Sequence, residues 1–366
     1  MTDFVPYVRW SCLTLVLAFS HSAVAAESVS LDKALSGLAG DIAAALPRFG
    51  AESLAVGTFT APPQLVASGG AGIANQLTGH LEKAGVLIAR RANVGLRGRF
   101  SLGKTARGQA TATITGELVD NSDRTLLSFS RQVESESDIA SITGLTFEVE
   151  ADAPIKQRSE EIVATVDNPT THLDGTVVRA RDGSPYGIEL LVKDPGGSFS
   201  PRPGVLDDGL AFVDIAVNDI YRIRLINDTD YDAAALVTID GLSIFAFSDH
   251  PEYKHFIIPA ESSGTIRGWH KTNQKVNEFH VKDYADSAAA QRLIDSSQVG
   301  TITVSFSAAW PLDGDPPPDE PGRVRGPDGK RATAVGRTVE SVSAEVKREV
   351  GRLRAAVSLR YDKPAE

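Results

Sequence analysis

The amino-acid sequence predicts an α+β chain, a small α/β domain followed by an antiparallel β-sandwich of jelly-roll-like type. Two patterns predict it. Between residues 30 and 133, apolar steps of three and four alternate with short β-branched runs. Beyond residue 175 a period of two takes over, and turns rich in Gly, Pro, Asn and Asp separate the runs. Length agrees, because 366 residues exceed one typical domain.

The first helix is read from Leu31, Leu35, Leu38, Ile42 and Leu46, which share one face behind Ser30, a good N-terminal cap. Residues 53–59 read as a strand. Residues 71–84 read as a second helix with Ile73, Leu77 and Leu81 inward and Gly85 as its stop. Residues 86–90 give another strand. Residues 110–119 and 125–133 then alternate across Asp120-Asn121-Ser122-Asp123, which makes a hairpin. Residues 148–174, charged and holding Pro154 and Pro169, read as a linker.

In the second domain, strands are expected at 186–192, 210–215, 220–226, 234–239, 255–258, 264–269 and 299–306, with a short helix at 285–294. The tract around 311–327, with Pro316-Pro317-Pro318, reads as a solvated loop. Residues 342–353 have a charged helical pattern, and residues 355–361 read as a closing strand.

Arg9, the apolar run 13–19 and the small residues 23–26 follow the order of a secretory signal peptide, so the expected boundaries are 1–26 signal, 27–147 α/β domain, 148–174 linker and 175–366 sandwich. The product is then periplasmic or extracellular, and no later run is long enough to anchor it across a bilayer. The one cysteine, Cys12, lies ahead of the cleavage point, which removes thiol catalysis, Cys-ligated zinc and disulfides from the mature chain. Ordinary usage, 42% hydrophobic and 23% charged, excludes a disordered, fibrous or multi-pass chain. A net charge of -10 argues against nucleic acid as a partner.

Residues 54–59 (Leu-Ala-Val-Gly-Thr-Phe), 72–77 (Gly-Ile-Ala-Asn-Gln-Leu) and 114–118 (Ile-Thr-Gly-Glu-Leu), in the order of elements above, resemble a small envelope domain. It is the α/β domain shared by flagellar outer-membrane assembly proteins, curli-secretion lipoproteins and activators of penicillin-binding proteins. The resemblance covers about the first third of the mature chain and implies assembly and docking, with no catalytic residue to carry over. This chain departs from the lipoprotein members in lacking a lipid-attachment cysteine. Residues 221–310 are similar to a β-rich domain of unknown function in exported bacterial proteins. Ile239-Asp240-Gly241-Leu242, Gly268-Trp269-His270 and Val299-Gly300-Thr301-Ile302 carry that similarity, which implies a fold and no activity.

Residues 98–105, Gly-Arg-Phe-Ser-Leu-Gly-Lys-Thr, match the phosphate-binding loop pattern, but the strand-like 107–114 stands where the helix is needed, so a basic hairpin or loop is expected. Arg90, Arg91, Arg97, Arg99, Lys104 and Arg107 form a basic cluster suited to an anionic polymer or acidic partner. The glycines of Ser68-Gly69-Gly70-Ala71-Gly72 read as a tight approach to a helix, since Asn75 stands where a dinucleotide turn has its third glycine. Residues 228–232 start like a calcium loop, yet Ala233 replaces the glycine and Ile239 the bidentate glutamate.

No Gly-x-Ser-x-Gly elbow is present, and Asp207-Asp208 and Glu160-Glu161 read as solubility. Trp269, His270 and Trp310 are a candidate ligand platform. A metal site would need three of His250, His255, His270 and His280 to meet. The reading is an exported, non-enzymatic envelope assembly or interaction protein with an envelope protein or anionic polymer as partner, no cofactor, no metal and no catalytic residue assigned. The alternative is a secreted carbohydrate-active hydrolase with its site in the sandwich.

Overall fold

Ser30 opens the first helix by accepting the Lys33 N–H on its Oγ at 3.3 Å. The computed structural model describes residues 28–65, 70–250, 252–281, 300–320, 331–334 and 344–361. The signal sequence and the helix expected at 285–294 lie outside the described residues. Elements of the first part are α1 (Leu31–Ala45), β1 (Ser53–Thr60), α2 (Gly70–Lys83), β2 (Leu87–Ile88), β3 (Val94–Lys104), β4 (Ala110–Asp120), β5 (Thr125–Val133), α3 (Glu136–Thr143), β6 (Phe147–Glu148) and α4 (Ile155–Asp167). The second part runs β7 (His172–Asp174), β8 (Val177–Arg179), β9 (Tyr186–Lys193), β10 (Phe199–Pro201), β11 (Gly204–Asp207), β12 (Leu210–Val213), β13 (Ile220–Asn227), β14 (Asp232–Ile239) and β15 (Leu242–Ser243). It continues with β16 (His255–Ile258), β17 (Ser262–Ile266), β18 (Gly268–Thr272), β19 (Lys275–His280), β20 (Thr301–Trp310), β21 (Arg331–Ala334), β22 (Ala344–Lys347) and β23 (Glu349–Arg360). The protein is mixed α+β and mostly β, and no described helix is long and apolar enough to cross a membrane.

The first sheet runs β2-β1-β3-β4-β5, with β1 parallel to β2 and β3 and the rest antiparallel. Leu35, Leu38 and Ile42 of α1 and Ile73, Leu77 and Leu81 of α2 bury against its inner face, on Leu54, Phe59, Leu96, Ile114 and Leu118. Strand β3 was not foreseen. Of the basic hairpin or loop expected at 98–105, the structure has the hairpin, with β3 as its first arm, paired with β4 along its whole length. Its Gly98 sits opposite Gly116, and a Cβ there would run into the Phe59 ring, so the glycine of the loop-like motif serves core packing.

Residues 148–174 are likewise not an irregular linker. They hold α4, which sends Ile162 and Arg158 into the first core. The helical pattern at 342–353 gives way to β22 and β23, because β23 is drawn into a ladder with β20. The Pro-rich tract is docked at 311–320: Arg354 takes Asp319 with both guanidinium nitrogens, and Glu320 Oε1 accepts the Arg352 N–H at 2.7 Å.

The two large sheets run β18-β19-β13-β9-β8-β7 and β11-β12-β23-β20-β14-β16-β21-β22. They share one apolar cluster, with Ile188, Leu190, Ile223 and Leu225 on one side and Val237, Ile302, Val304, Phe306, Val357 and Leu359 on the other. Asp240 and Gly241, at φ of 52° and 72°, make the tight turn from β14 to β15.

Strand β23 is buried on both sides. Ala355, Val357 and Leu359 face the large-sheet core, while Leu353 and Ala356 complete the core of the first part. Ser358 N–H donates to Thr146 Oγ1 at 2.9 Å, its hydroxyl to Leu145 O at 3.2 Å, and Arg360 reaches Gly144 O at 3.2 Å. Arg158 of α4, 1% exposed, grips the Glu136 carboxylate and donates to Leu353 O at 2.7 Å. A second junction lies at Gly72, where any Cβ would collide with the Gly241 backbone. Gly72, in the first turn of α2, therefore allows a close approach to the turn from β14 to β15.

Removing Arg158 leaves the Glu136 carboxylate and the Leu353 carbonyl without their donor, at a cost of about 3 kcal/mol. Arg158→Met is expected to lower the denaturant midpoint recorded by the fluorescence of Trp269 and Trp310, although both tryptophans lie in the large sheets. An unchanged tryptophan transition would show that the two parts unfold independently.

Candidate functional site

Helices cover one face of the first sheet, and among the described residues the other face stands open. Alternation along each strand decides what it shows. On β3, Leu96 and Phe100 point to the core while Arg97, Arg99 and Ser101 face solvent. On β4, Ala112, Ile114 and Leu118 point inward, and Thr113, Thr115 and Glu117 are the residues between them. On β5, Ser128, Ser130 and Gln132 are exposed. Register assembles these into three rows across the strands: Ser101-Thr113-Gln132, Arg99-Thr115-Ser130 and Arg97-Glu117-Ser128.

Both guanidiniums share one carboxylate. Arg99 Nη1 donates to Glu117 Oε1 at 3.0 Å and Arg97 Nε to Glu117 Oε2 at 3.4 Å, and Asp123 lies 3.7 Å from Arg97. The arginine side chains remain 48% and 64% exposed while Glu117 is 18% exposed, so donors are left for an incoming acceptor. The rows hold hydroxyls, one amide, the two guanidiniums and the Glu117 carboxylate that they share, with no aromatic or aliphatic side chain. Such a surface fits a hydrated anionic ligand through charge-assisted hydrogen bonds and gives no stacking platform.

The structure does not gather all six basic residues at one place. Arg97 and Arg99 stand mid-sheet, exposed Arg90 and Arg91 precede β3, and exposed Lys104 and Arg107 lie at the far hairpin. At 3.3 Å or so per residue the cluster is strung out over roughly 35 Å. The Thr and Ser rows, missed in the sequence reading, were signalled by hydroxyl residues at every second position of β4 and β5.

The expected aromatic platform is divided between sheets. Trp269 lies on β18, edge-on to Phe247 at 5.2 Å and Phe279 at 5.5 Å, whereas Trp310 ends β20 opposite Glu349. His270 turns inward to 1% exposure, beside Phe245 and Tyr253. Its Nδ1 meets Ser248 Oγ at 2.9 Å, and that hydroxyl oxygen also accepts the His250 N–H at 2.9 Å. Nε2 and the neighbouring Asn273 Oδ1 are buried without a formed hydrogen bond.

Burial holds the His270 pKa below 6.5, with the Asn273 side chain pulling the other way, nearby His250 lowering it and Asp249 raising it. Among the described residues no three His, Asp or Glu side chains are placed to hold a metal. In the calcium-like turn, Asp228 pairs with Arg179 at 3.0 Å and Asp232 with Arg348 at 3.0 Å. No family model, curated protein or solved structure matches the chain.

A folded-state pKa below the unfolded value means that the unfolded chain binds the proton first. The stabilisation is therefore complete above the unfolded value of 6.5 and shrinks as pH falls through it toward the folded value. The denaturant midpoint is expected to drop between about pH 7 and about pH 5, and to drop less in His270→Gln. Equal slopes in the two proteins would remove His270 as a source of acid sensitivity.

Proposed function

We propose that this is an exported protein of the cell envelope that acts by binding, with the open face of the first sheet as its grip on an anionic polymer or acidic partner. The observation that carries the reading is the pair Arg97 and Arg99, exposed in the middle of a flat hydroxyl-lined face, in a chain whose net charge is -10. The signal-like start and the resemblance of residues 54–59, 72–77 and 114–118 to envelope assembly domains support it. In this reading the two large sheets form a jelly-roll-like sandwich that carries the α/β domain and holds it rigid.

A second reading, a hydrolase centred in the large sheets, is favoured by one observation, the Ser248 hydroxyl on the buried neutral imidazole of His270. Against it, the same hydroxyl closes its own loop through the His250 N–H, and Phe245 and Tyr253 pack on the ring.

Retention of the chain on a dextran sulfate resin tests the first reading. Binding is expected at low salt, weakening as salt screens it, and most of it is expected to vanish in Arg97→Gln/Arg99→Gln with thermal unfolding little changed, since exposed ion pairs contribute about 1 kcal/mol or less. Equal retention of the double variant, or no retention at low salt, would overturn the assignment to this face.

A further inference from the structure

A sheet edge exposes a row of unpaired N–H and C=O groups, and natural proteins blunt long edges with charges, prolines or bulges. The outer edges of the large sheets are brief or kinked: β7 has three residues, β11 and β22 four each, and β18 carries a register shift. The first sheet ends on β2, with two residues, and on β5, with nine. Strand β5 reads Thr-Leu-Leu-Ser-Phe-Ser-Arg-Gln-Val, with no proline, no acidic residue and one cation. Its single irregularity sits at Leu126, next to the turn.

The direction of the edge groups follows from two bonds. Glu134 N–H points outward to Val29 O at 2.8 Å, and Ser130 O points outward to the Arg131 guanidinium at 2.8 Å. Even-numbered residues therefore present their backbone to the outside. Val29 closes the edge after residue 133, and Leu126 is the bulged residue without a partner on β4. The usable stretch, with regular outward groups at 128, 130 and 132, is 128–132. Leu126, Leu127 and Phe129 of β5 are only partly buried.

We propose that this edge pairs with β5 of a second copy of the chain, antiparallel about a two-fold axis at Ser130, making one continuous ten-stranded sheet from two protomers. Two conditions set the register. Keeping the helices of both copies on the same side requires opposed residues of equal parity. Using the outward groups of 128, 130 and 132 symmetrically places the axis at residue 130. Ser130 then meets its own copy and Ser128 meets Gln132 of the second copy on the open face, while Phe129 meets Arg131 of the second copy on the helix side. The Ser130 carbonyl exchanges its guanidinium donor for the Ser130 N–H of the second copy.

An independent observation comes from α1. Gly37 and Gly40 are exposed in mid-helix, each costing about 1 kcal/mol against Ala. A Cβ on Gly40 would meet nothing within 4 Å, and one on Gly37 would touch only Arg131 of β5, so packing within the chain does not call for either glycine. Next to the β5 edge, a surface without side chains lets α1 of the second copy approach closely. That contact is needed, because a strand pair alone falls short of the roughly 1,000 Å² of a specific interface.

The test uses the full chain with Cys12→Ser. Sedimentation is expected to give a dimer, and Ser128→Pro, which removes an outward N–H and leaves the ladder to β4 intact, is expected to give a monomer with unchanged circular dichroism. Mixing Ser128→Cys chains with Gln132→Cys chains under oxidising conditions is expected to cross-link several-fold more than either alone, because those positions oppose each other across the axis. A chain that is monomeric at all concentrations overturns the proposal. So does a mixture that cross-links no better than its components, even where the proline variant fails to fold.

Discussion

Everything in the molecule hangs on one strand that has no free side. Strand β23 must satisfy an apolar core on one face and a helical layer on the other, and it does so with different chemistry on each. Alanine, valine and leucine fill the inner face, while Ser358, Arg354 and Arg360 on the outer face find carbonyls, hydroxyls and carboxylates from segments far away in sequence. Buried guanidiniums are tolerated only when their donors are met. Burial pulls the Arg360 guanidinium down to about 10, which still leaves it charged at neutral pH. The outer neighbours on β20 are small and polar, Thr301, Thr303 and Ser305, and Thr303 reaches Ser358 at 2.9 Å. Small side chains there let α3 lie close, so the layer beneath the first sheet is also the cover of the second.

This arrangement joins the ends of the chain. The bond from Ser358 to Thr146 spans 212 residues, and the first core is incomplete until Leu353 and Ala356 arrive. Contacts of such separation are formed late, because the loop they close must be ordered first. A boundary drawn in sequence near residue 148 therefore does not separate two independent cores, even though the composition of the chain changes there.

The elements legible from sequence were those with one dry face. In α1, α2, β4, β5 and β13 the apolar period reports a single buried side, and the expected spans agree with the structure to within a residue or two. Three segments were misread for physical reasons. Strand β3 alternates properly, Leu96, Gly98, Phe100 and Leu102 against Arg97, Arg99 and Ser101, but Gly98 hid the apolar side because the Phe59 ring fills the position of a side chain there. Helix α4 buries a charged residue, Arg158, where an apolar one would have marked the face. The closing strand read at 355–361 is the second half of β23, while its first half, up to residue 353, had a charged helical look, the strand's arginines being held by partners such as Asp319 and Glu320 that the sequence pattern does not show.

The candidate face was legible as residue types and not as geometry. Six basic residues close in sequence suggested one patch, yet a strand lays them out lengthwise, and only Arg97 and Arg99, two apart, share a row system with their neighbours' hydroxyls. Spacing then sets how two such faces would act. With protomers joined through β5, the two β3 strands stand five strand intervals apart, about 24 Å. That exceeds the Debye length of about 8 Å at physiological salt, so the arginine pairs do not repel one another across the axis. A flexible chain of negative charge longer than that span would engage both pairs, and its second attachment would be intramolecular, governed by effective concentration rather than by bulk affinity. In the proposed dimer, weak, salt-sensitive contacts at each Arg97 and Arg99 would thereby add up to firm retention on a polymer and negligible hold on a small anion.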